Sequence, residues 1–243
     1  MSLLRLDKFL ADSGLGTRSQ VKLLLKKGLV IVNGEHRLRP EQKVDPSADE
    51  ILCQGKPLSH CGHDYYMLYK PAGYVSATDD NTAPTVLSLL KDAPGKGLFP
   101  VGRLDKDTEG LLLITNDGPL AHRLLSPRHH VDKTYLVKAA GTITADDLIR
   151  LETGIDIGEK APTLPAEAKL LSCETEGGQA VSFVELIICQ GKFHQVKRMF
   201  RAIGKPVLYL KRISMGSLVL DEALVPGQFR ALAREEVAAL KEI

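Results

Sequence analysis

A charged loop between two apolar runs places the strongest constraint on the fold of this chain. Leu98–Val101 leads into the loop and Leu111–Ile114 leads out of it. Continuous apolar runs of this length, bounded by glycine, are typical of buried strands. The loop, Gly102–Gly110, holds three carboxylates and two cations. Charged side chains supported by two core strands suit a reaction centre, although a hairpin with surface ion pairs gives the same pattern.

Length and composition exclude several classes of protein. The 243 residues, 44% of them hydrophobic, are enough for one large or two modest domains with a real core. The net charge is only +2, so affinity for a polyanion must come from where the cations lie. No apolar stretch is long enough to span a bilayer, and Arg5 interrupts any secretory leader, so we expect a cytoplasmic protein without a membrane partner. The spacing of the four cysteines indicates neither a disulfide framework nor a metal site.

The first part of the chain predicts two short helices and a strand with one basic face. Leu6–Leu10 has helical spacing, and Thr17 begins a second helix with a capping-box pattern that ends at Gly28. Gly28–Gly34 reads as a strand that runs into an Asn-Gly turn. Cations recur at four-residue steps on the outer face of the second helix: Arg18, Lys22 and Lys26. Like charges at this spacing cost a few tenths of a kcal/mol per pair, roughly, which favours phosphate contact over a solvated face.

A domain boundary is expected near residue 60. Pro57 and the polar stretch Ser59–Gly62 are typical of a linker. The chain therefore divides, by prediction, into an N-terminal domain of residues 1–59 and a larger domain of residues 60–243.

The start of the larger domain predicts strands and a capped helix. Tyr65–Tyr69 reads as a strand that stops at the turn beginning with Lys70, and Tyr74–Thr78 resumes it. Pro119–Leu125 predicts a helix with proline in its first turn and Asp117 as its cap.

A basic corner and an alternating strand follow. Ser126–His130 breaks the helix and includes Arg128, His129 and His130. Adjacent histidines point apart in most backbones, so an RNA-facing corner is favoured over a metal site. Lys133–Lys138 alternates as a strand that places Tyr135 on the same face as Val137. Further elements are a helix at 144–152 and a buried strand at 180–189.

A long basic segment without acids follows the predicted strand at 180–189. Gly191–Arg201 has helical spacing, with Phe193, Val196 and Phe200 facing inward and Gly204 ending the helix. Seven cations and no acid lie between Leu186 and Leu220: Lys192, Lys197, Arg198, Arg201, Lys205, Lys211 and Arg212. Such a run on an element that also has a core face is the electrostatic footprint of a polyanion groove.

These motifs resemble two known families. The first sixty residues, with Arg5-Leu6-Asp7-Lys8-Phe9-Leu10 and Val32-Asn33-Gly34, resemble the alpha-L RNA-binding motif of ribosomal protein S-four. Four ordered motifs are similar to the pseudouridine synthases of the ribosomal small-subunit type: Gly102–Gly118, Ser126–His130, Lys133–Tyr135 and Gly191–Met199. The resemblance implies an α+β fold, with a small RNA-binding domain and a catalytic domain built on a mainly antiparallel sheet flanked by helices.

The resemblance also implies roles for particular residues. Asp105 matches the catalytic aspartate, Arg103 the arginine that helps to displace the target base, Tyr135 the tyrosine that stacks on it, and Lys197 the basic partner of the aspartate. Conversion of uridine to its C-glycoside breaks one glycosidic bond and forms another, and it needs neither a metal nor a redox cofactor. An aromatic face suits an unstacked base, and flipping that base costs a few kcal/mol.

The implied substrate is one uridine of 16S rRNA, in free or partly assembled small subunits, bound by a monomer. The residues expected to face RNA are Arg5, Lys8, Arg18, Lys22, Lys26, Arg128, His129, Lys192, Gln195, Arg198 and Arg201. The chain departs from the family where Tyr69 replaces a frequent asparagine and where Lys192-Phe193 replaces a frequent Arg-Tyr pair.

Three alternatives remain open on sequence. The first is a synthase that acts on 23S rRNA, and the second is a non-catalytic RNA-binding assembly factor. The third is a glycosidase that pairs Asp105 with Asp107 or Glu109, although tight loops rarely hold two carboxylates roughly 5 to 10 Å apart.

Overall fold

The chain forms two compact units. The computed structural model describes residues 3–45, 48–58 and 63–243, and the units are Met1–His63 and Asp64–Ile243. The predicted linker, Ser59–Gly62, lies outside the described residues, so the boundary near residue 60 stays a prediction.

The N-terminal unit combines helical turns with short strands around its own core. Its helices are α1 (Leu6–Leu10), which continues as a π-helical turn (Ala11–Leu15), and α2 (Arg18–Lys26). Its strands are β1 (Leu4–Arg5), β2 (Val30–Val32), β3 (Lys43–Val44), β4 (Ile51–Cys53) and β5 (Lys56–Pro57). Strands β1 and β3 pair, and β2, β4 and β5 form a second antiparallel sheet. Leu6, Phe9 and Val21 are buried in this core.

Local sequence signals account for the bounds of α2 and its following turn. The predicted capping box is confirmed, because the Thr17 hydroxyl accepts from the Gln20 amide (3.4 Å) and the Gln20 side chain accepts from the Thr17 amide (2.8 Å). Asn33 and Gly34 both have positive φ (50° and 81°), as the predicted turn after β2 requires.

The larger unit is built on a mixed sheet. Its strands are β6 (Tyr65–Lys70), β7 (Phe99–Pro100), β8 (Glu109–Thr115), β9 (Lys133–Ala140), β10 (Glu167–Glu176), β11 (Gln179–Ile188), β12 (Val207–Met215), β13 (Leu218–Val219) and β14 (Phe229–Ala231). They follow the order β10-β11-β9-β12-β8-β6-β14, with β13 beside β12 and β7 beside β8. Strands β8 and β12 pair in parallel over Glu109–Gly110 and Lys211–Arg212, and the other neighbouring strands in this order are antiparallel. The predicted α+β class is therefore confirmed.

Helices cover both faces of this sheet. They are α3 (Gly118–Leu125), α4 (Ala145–Thr153), α5 (Gln195–Ala202) and α6 (Arg234–Lys241), with 3-10 turns at Val86–Leu90 and Pro127–His129. Side chains alternate across β6, so that Leu68 packs with α4 and α5 whereas Met67 packs with α3 and α6. Within the described residues, no helix has the length and apolar character to cross a membrane.

Three sequence predictions for this unit are wrong in detail. Tyr74–Thr78 is not a strand: Val75 forms only an isolated bridge, and the Ser76 hydroxyl instead bonds to the backbone of Leu104. The apolar run before the charged loop contributes only the half-buried pair Phe99–Pro100 to a strand. Phe193 does not face the core, because α5 begins at Gln195 rather than at residue 191.

Candidate active site

The charged loop joins β7 to β8 and is fixed at its end by a glycine. Gly110 lies where β8 meets β12, with φ of 104°. A Cβ atom at this position would lie 2.2 Å from the carbonyl oxygen of Arg212. Only glycine therefore allows β8 to approach β12 this closely and still have a positive φ.

A buried lysine holds the charged loop in place through hydrogen bonds to backbone carbonyls. Lys70, at the end of β6, is 0% exposed, and its Nζ donates to the carbonyl oxygens of Thr108 (2.7 Å), Pro71 (3.1 Å) and Lys106 (3.3 Å). Burial lowers the pKa of Lys70 to about 8, although the carboxylates of the loop act in the opposite direction. The sequence showed Lys70 only as the start of a turn, because two of its three partners, Lys106 and Thr108, lie 36 and 38 residues away along the chain.

The structure brings together Asp105 and the two side chains that contact its carboxylate. Lys197 Nζ lies 3.0 Å from Asp105 Oδ2 and 2.5 Å from Asp107 Oδ1. His194 Nε2 lies 3.5 Å from Asp105 Oδ1. Lys197 lies on α5, and His194 is the residue immediately before that helix. The predicted neighbourhood of Asp105 and Lys197 is therefore present, and His194 is a further neighbour that sequence reasoning missed.

Charge pairing favours the ionised forms of Asp107 and Lys197. Burial disfavours ionised Asp107, but the hydrogen bond and charge of Lys197 outweigh it, so the pKa of this carboxyl lies below its ordinary value. Burial also disfavours charged Lys197, and hydrogen bonds to Asp107 and Asp105 outweigh it, so the pKa of this amine is raised. The third carboxylate of the loop, Glu109, points elsewhere and accepts a hydrogen bond from the Tyr209 hydroxyl (2.8 Å). The three acids therefore have different surroundings.

Asp105 lines an open cavity whose walls come from several elements. Arg103 and Thr108 line it from the loop, Tyr135 from β9, and Lys197 from α5. Tyr135 is 8% exposed and Arg103 is exposed. The Thr108 hydroxyl is buried and has no hydrogen-bond partner among the described residues. The cavity wall thus combines an aromatic ring, a carboxylate and a guanidinium.

The structure places the predicted RNA contacts in different surroundings. Six are exposed: Arg5, Arg18, Lys22, Lys26, Arg128 and His129. Arg5 also pairs with Asp7 (2.9 Å), and Lys8 is half-buried. In the larger unit Arg201 is exposed, whereas Lys192 donates to Ala161 (3.0 Å). Arg198 contacts Glu159 (2.7 Å) and the carbonyl of Ile157.

Gln195 differs most from its predicted place on the RNA face. It is 4% exposed, and its side-chain oxygen accepts from the Lys192 amide (2.9 Å). Its surroundings fit a residue that shapes the turn before α5 better than one that contacts RNA. Helical spacing missed this burial because the helix begins at Gln195 itself. Among the described residues, no group of three or more His, Cys, Asp or Glu side chains is arranged to hold a metal ion.

Comparison with known protein families identifies the class of protein to which this fold and cavity belong. Residues 64–202 match the family described as RNA pseudouridylate synthase, and residues 4–51 match the S4 domain. The chain belongs to the RNA pseudouridine synthase family. It is therefore an isomerase that acts on RNA, with an N-terminal S4 RNA-binding domain.

Similar proteins extend along the whole chain. An uncharacterized RNA pseudouridine synthase of Bacillus subtilis is 46% identical over 240 residues, covering 98% of this chain and 99% of that protein. Ribosomal small subunit pseudouridine synthase A of Pasteurella multocida is 41% identical over 98% of this chain and 100% of its own. A crystal structure of a pseudouridylate synthase is 38% identical, with a TM-score of 0.66 and coverage of 98% and 99% of the two chains.

Proposed function

We propose that this protein isomerises one uridine of 16S rRNA to pseudouridine, as a monomer and without a cofactor. Relatives that carry the small-subunit name and align over nearly their full length support the choice of 16S rRNA. We expect no cofactor because uridine and pseudouridine are isomers. No electron acceptor and no group donor is consumed.

The observation that carries the proposal is the position of Asp105 in the cavity. Its carboxylate lies 3.0 Å from Lys197 and 3.5 Å from His194, and it lines an open cavity together with Tyr135. A carboxylate acting on the sugar or the base must be ionised and held in place before the substrate arrives. Lys197 holds the carboxylate in place, since it pairs with Asp105 and is itself fixed by Asp107.

The walls of the cavity suit a base that has left its stack. Tyr135 presents a ring edge or face to the uracil, and Thr108 lines the same cavity from the charged loop. Arg103 is exposed at the rim, where its guanidinium can replace interactions that the flipped base loses. RNA phosphates are bound by exposed cations, above all Arg18, Lys22 and Lys26 on α2.

The test is a map of pseudouridine in rRNA from a strain that lacks the gene. Carbodiimide modification followed by primer extension should show one missing site in 16S rRNA. The wild-type gene should restore this site, whereas Asp105→Asn should not restore it despite equal protein levels. A missing site in 23S rRNA would retain the chemistry and refute the proposed substrate. Complete modification of both rRNAs in the deletion strain would favour a non-catalytic assembly factor.

A further inference from the structure

Phe193 is a large aromatic side chain that the fold leaves in solvent. It is 69% exposed, the largest exposed fraction among the large hydrophobic side chains noted in the described residues. Its ring stacks on the imidazole of His194, with ring centres 3.8 Å apart and planes 20° from parallel. The pair forms a flat surface with one covered side and one open side. Because the ring is stacked on His194, which lines the cavity beside Asp105, its open side is available to a partner that occupies the cavity.

The backbone beneath this aromatic pair is held in place. The Phe193 carbonyl accepts from Arg198 Nη1 (3.2 Å), and the Gln195 side chain accepts from the Lys192 amide (2.9 Å). His194 has φ of 49°, in the left-handed region that an ordinary residue adopts only where its surroundings require it. The turn therefore presents a preorganised ring rather than a freely moving one.

The aromatic pair adjoins the reaction centre but does not enter it. His194 Nε2 lies 3.5 Å from Asp105, and both Lys192 and His194 line the cavity. Phe193, between them in sequence, is not among the residues of the cavity wall. His194 is therefore shared by the cavity wall and the stacked pair, whereas Phe193 lies outside that wall.

We propose that Phe193 stacks on a base that flanks the target uridine in the RNA. The inference rests on the proposed reaction at the Asp105 cavity, and it does not depend on which rRNA is the substrate. Charge favours RNA over an apolar partner, because Lys192 and Lys197 line the adjoining cavity and no acid lies between Leu186 and Leu220 in the sequence. Aromatic rings beside cations are the usual way in which proteins hold unpaired bases, and they accept any base. Phe193 is thus a binding residue for the RNA next to the reacting nucleotide.

Steady-state kinetics on the full chain test this role. The substrate is a 16S transcript, or a 23S transcript if the wild type modifies only that RNA. Phe193→Leu should lower kcat/KM roughly 5- to 100-fold, the range expected for one lost base stack. Phe193→Tyr, which keeps the ring, should stay within about twofold of wild type. A matched control is Leu171→Ala, which trims another exposed apolar side chain on a strand that carries Glu167, Glu174 and Glu176. Equal kcat/KM for wild type and Phe193→Leu would overturn the proposal.

Fluorescence provides a second test that does not require turnover. The chain contains no tryptophan, so Phe193→Trp introduces a single reporter at this surface. Its emission should be quenched by the transcript and unaffected by uridine monophosphate, which fills only the cavity. Quenching by the mononucleotide would place Phe193 on the target base instead, and an unchanged emission with the transcript would remove the stacking role. If the wild-type protein modifies neither rRNA, the proposed function is wrong. The fluorescence result would still show whether Phe193 stacks on a base of the RNA.

Discussion

Helix α2 of the N-terminal unit and the segment from Lys192 to Arg201 both carry several cations, but the surroundings of those cations differ. Arg18, Lys22 and Lys26 are exposed, and they form no hydrogen bond or ion pair within the part of the chain that the structure describes. In the second region Lys192 donates to Ala161, Lys197 pairs with two aspartates and Arg198 holds Glu159. Similar charge in the sequence therefore lies in two different kinds of surroundings.

Positive charge in such a chain can be divided between binding and catalysis. Exposed, unpaired cations are free to exchange solvent ions for phosphates, which gives affinity that depends strongly on salt. Cations that are already bonded to the protein contribute less to that exchange, but they fix carboxylates and backbone before RNA arrives. We therefore expect α2 variants to change RNA binding and variants of the catalytic unit to change turnover.

The largest effect is expected from Lys197→Met. Loss of the ammonium leaves Asp105 and Asp107 without their shared partner, so kcat should fall by about 100-fold or more, equivalent to roughly 2.7 kcal/mol. KM should change little. The matched control is Arg201→Gln on the same helix, which should raise KM and leave kcat intact. Single-turnover and steady-state rates separate the two results, and a pure KM effect for Lys197→Met would mean that this lysine serves RNA binding.

Lys70 extends the comparison to a cation that is wholly inside the protein. Its pKa is about 8 in the folded state and about 10.5 in the unfolded chain. Between these pH values the unfolded state holds a proton that the folded state has released, so ionisation of Lys70 makes the free energy of unfolding rise with pH. The slope is about 1.4 kcal/mol per pH unit within this window. Urea unfolding from pH 7 to 10.5 should show this rise in wild type relative to Lys70→Met. Parallel curves for the two proteins would mean that the buried amine does not titrate in this range.

The triple variant Arg18→Gln, Lys22→Gln and Lys26→Gln probes the free cations. RNA affinity should weaken, and the slope of log affinity against log salt should become shallower by about 2 to 3, since each phosphate contact contributes roughly 0.7 to 0.9. The value of kcat should stay near wild type at saturating RNA. The charge-conserving triple variant Arg18→Lys, Lys22→Arg and Lys26→Arg should keep the slope. Filter-binding titrations at several salt concentrations measure it, and an unchanged slope for the neutral variant would remove α2 from the RNA interface.

The sequence predicts local features of this fold well. The Thr17 capping box, the Asp117 cap of α3 and the alternating burial of β9 depend on neighbours a few residues away, and all three are present. Such signals are read from spacing because the groups that satisfy them are close along the chain.

Features that depend on distant contacts could not be predicted in this way. Lys70 is a buried support of the loop only because the carbonyls of Lys106 and Thr108 reach it across the sheet. Phe193 was expected in the core and is exposed, whereas Gln195 was expected to face RNA and is buried. The cause is the left-handed turn at His194, which delays the start of α5. A helical pattern fixes relative positions within a helix but not the residue at which the helix begins.

The most direct test of the division between binding and catalysis is a paired measurement on purified Asp105→Asn. This change removes one charge from the cavity and leaves α2 untouched. The variant should bind the 16S transcript with a Kd within about threefold of wild type, and its single-turnover rate of pseudouridine formation should fall by roughly 10⁴-fold or more. Retention of the rate within tenfold would contradict the assignment of Asp105 as the catalytic carboxylate.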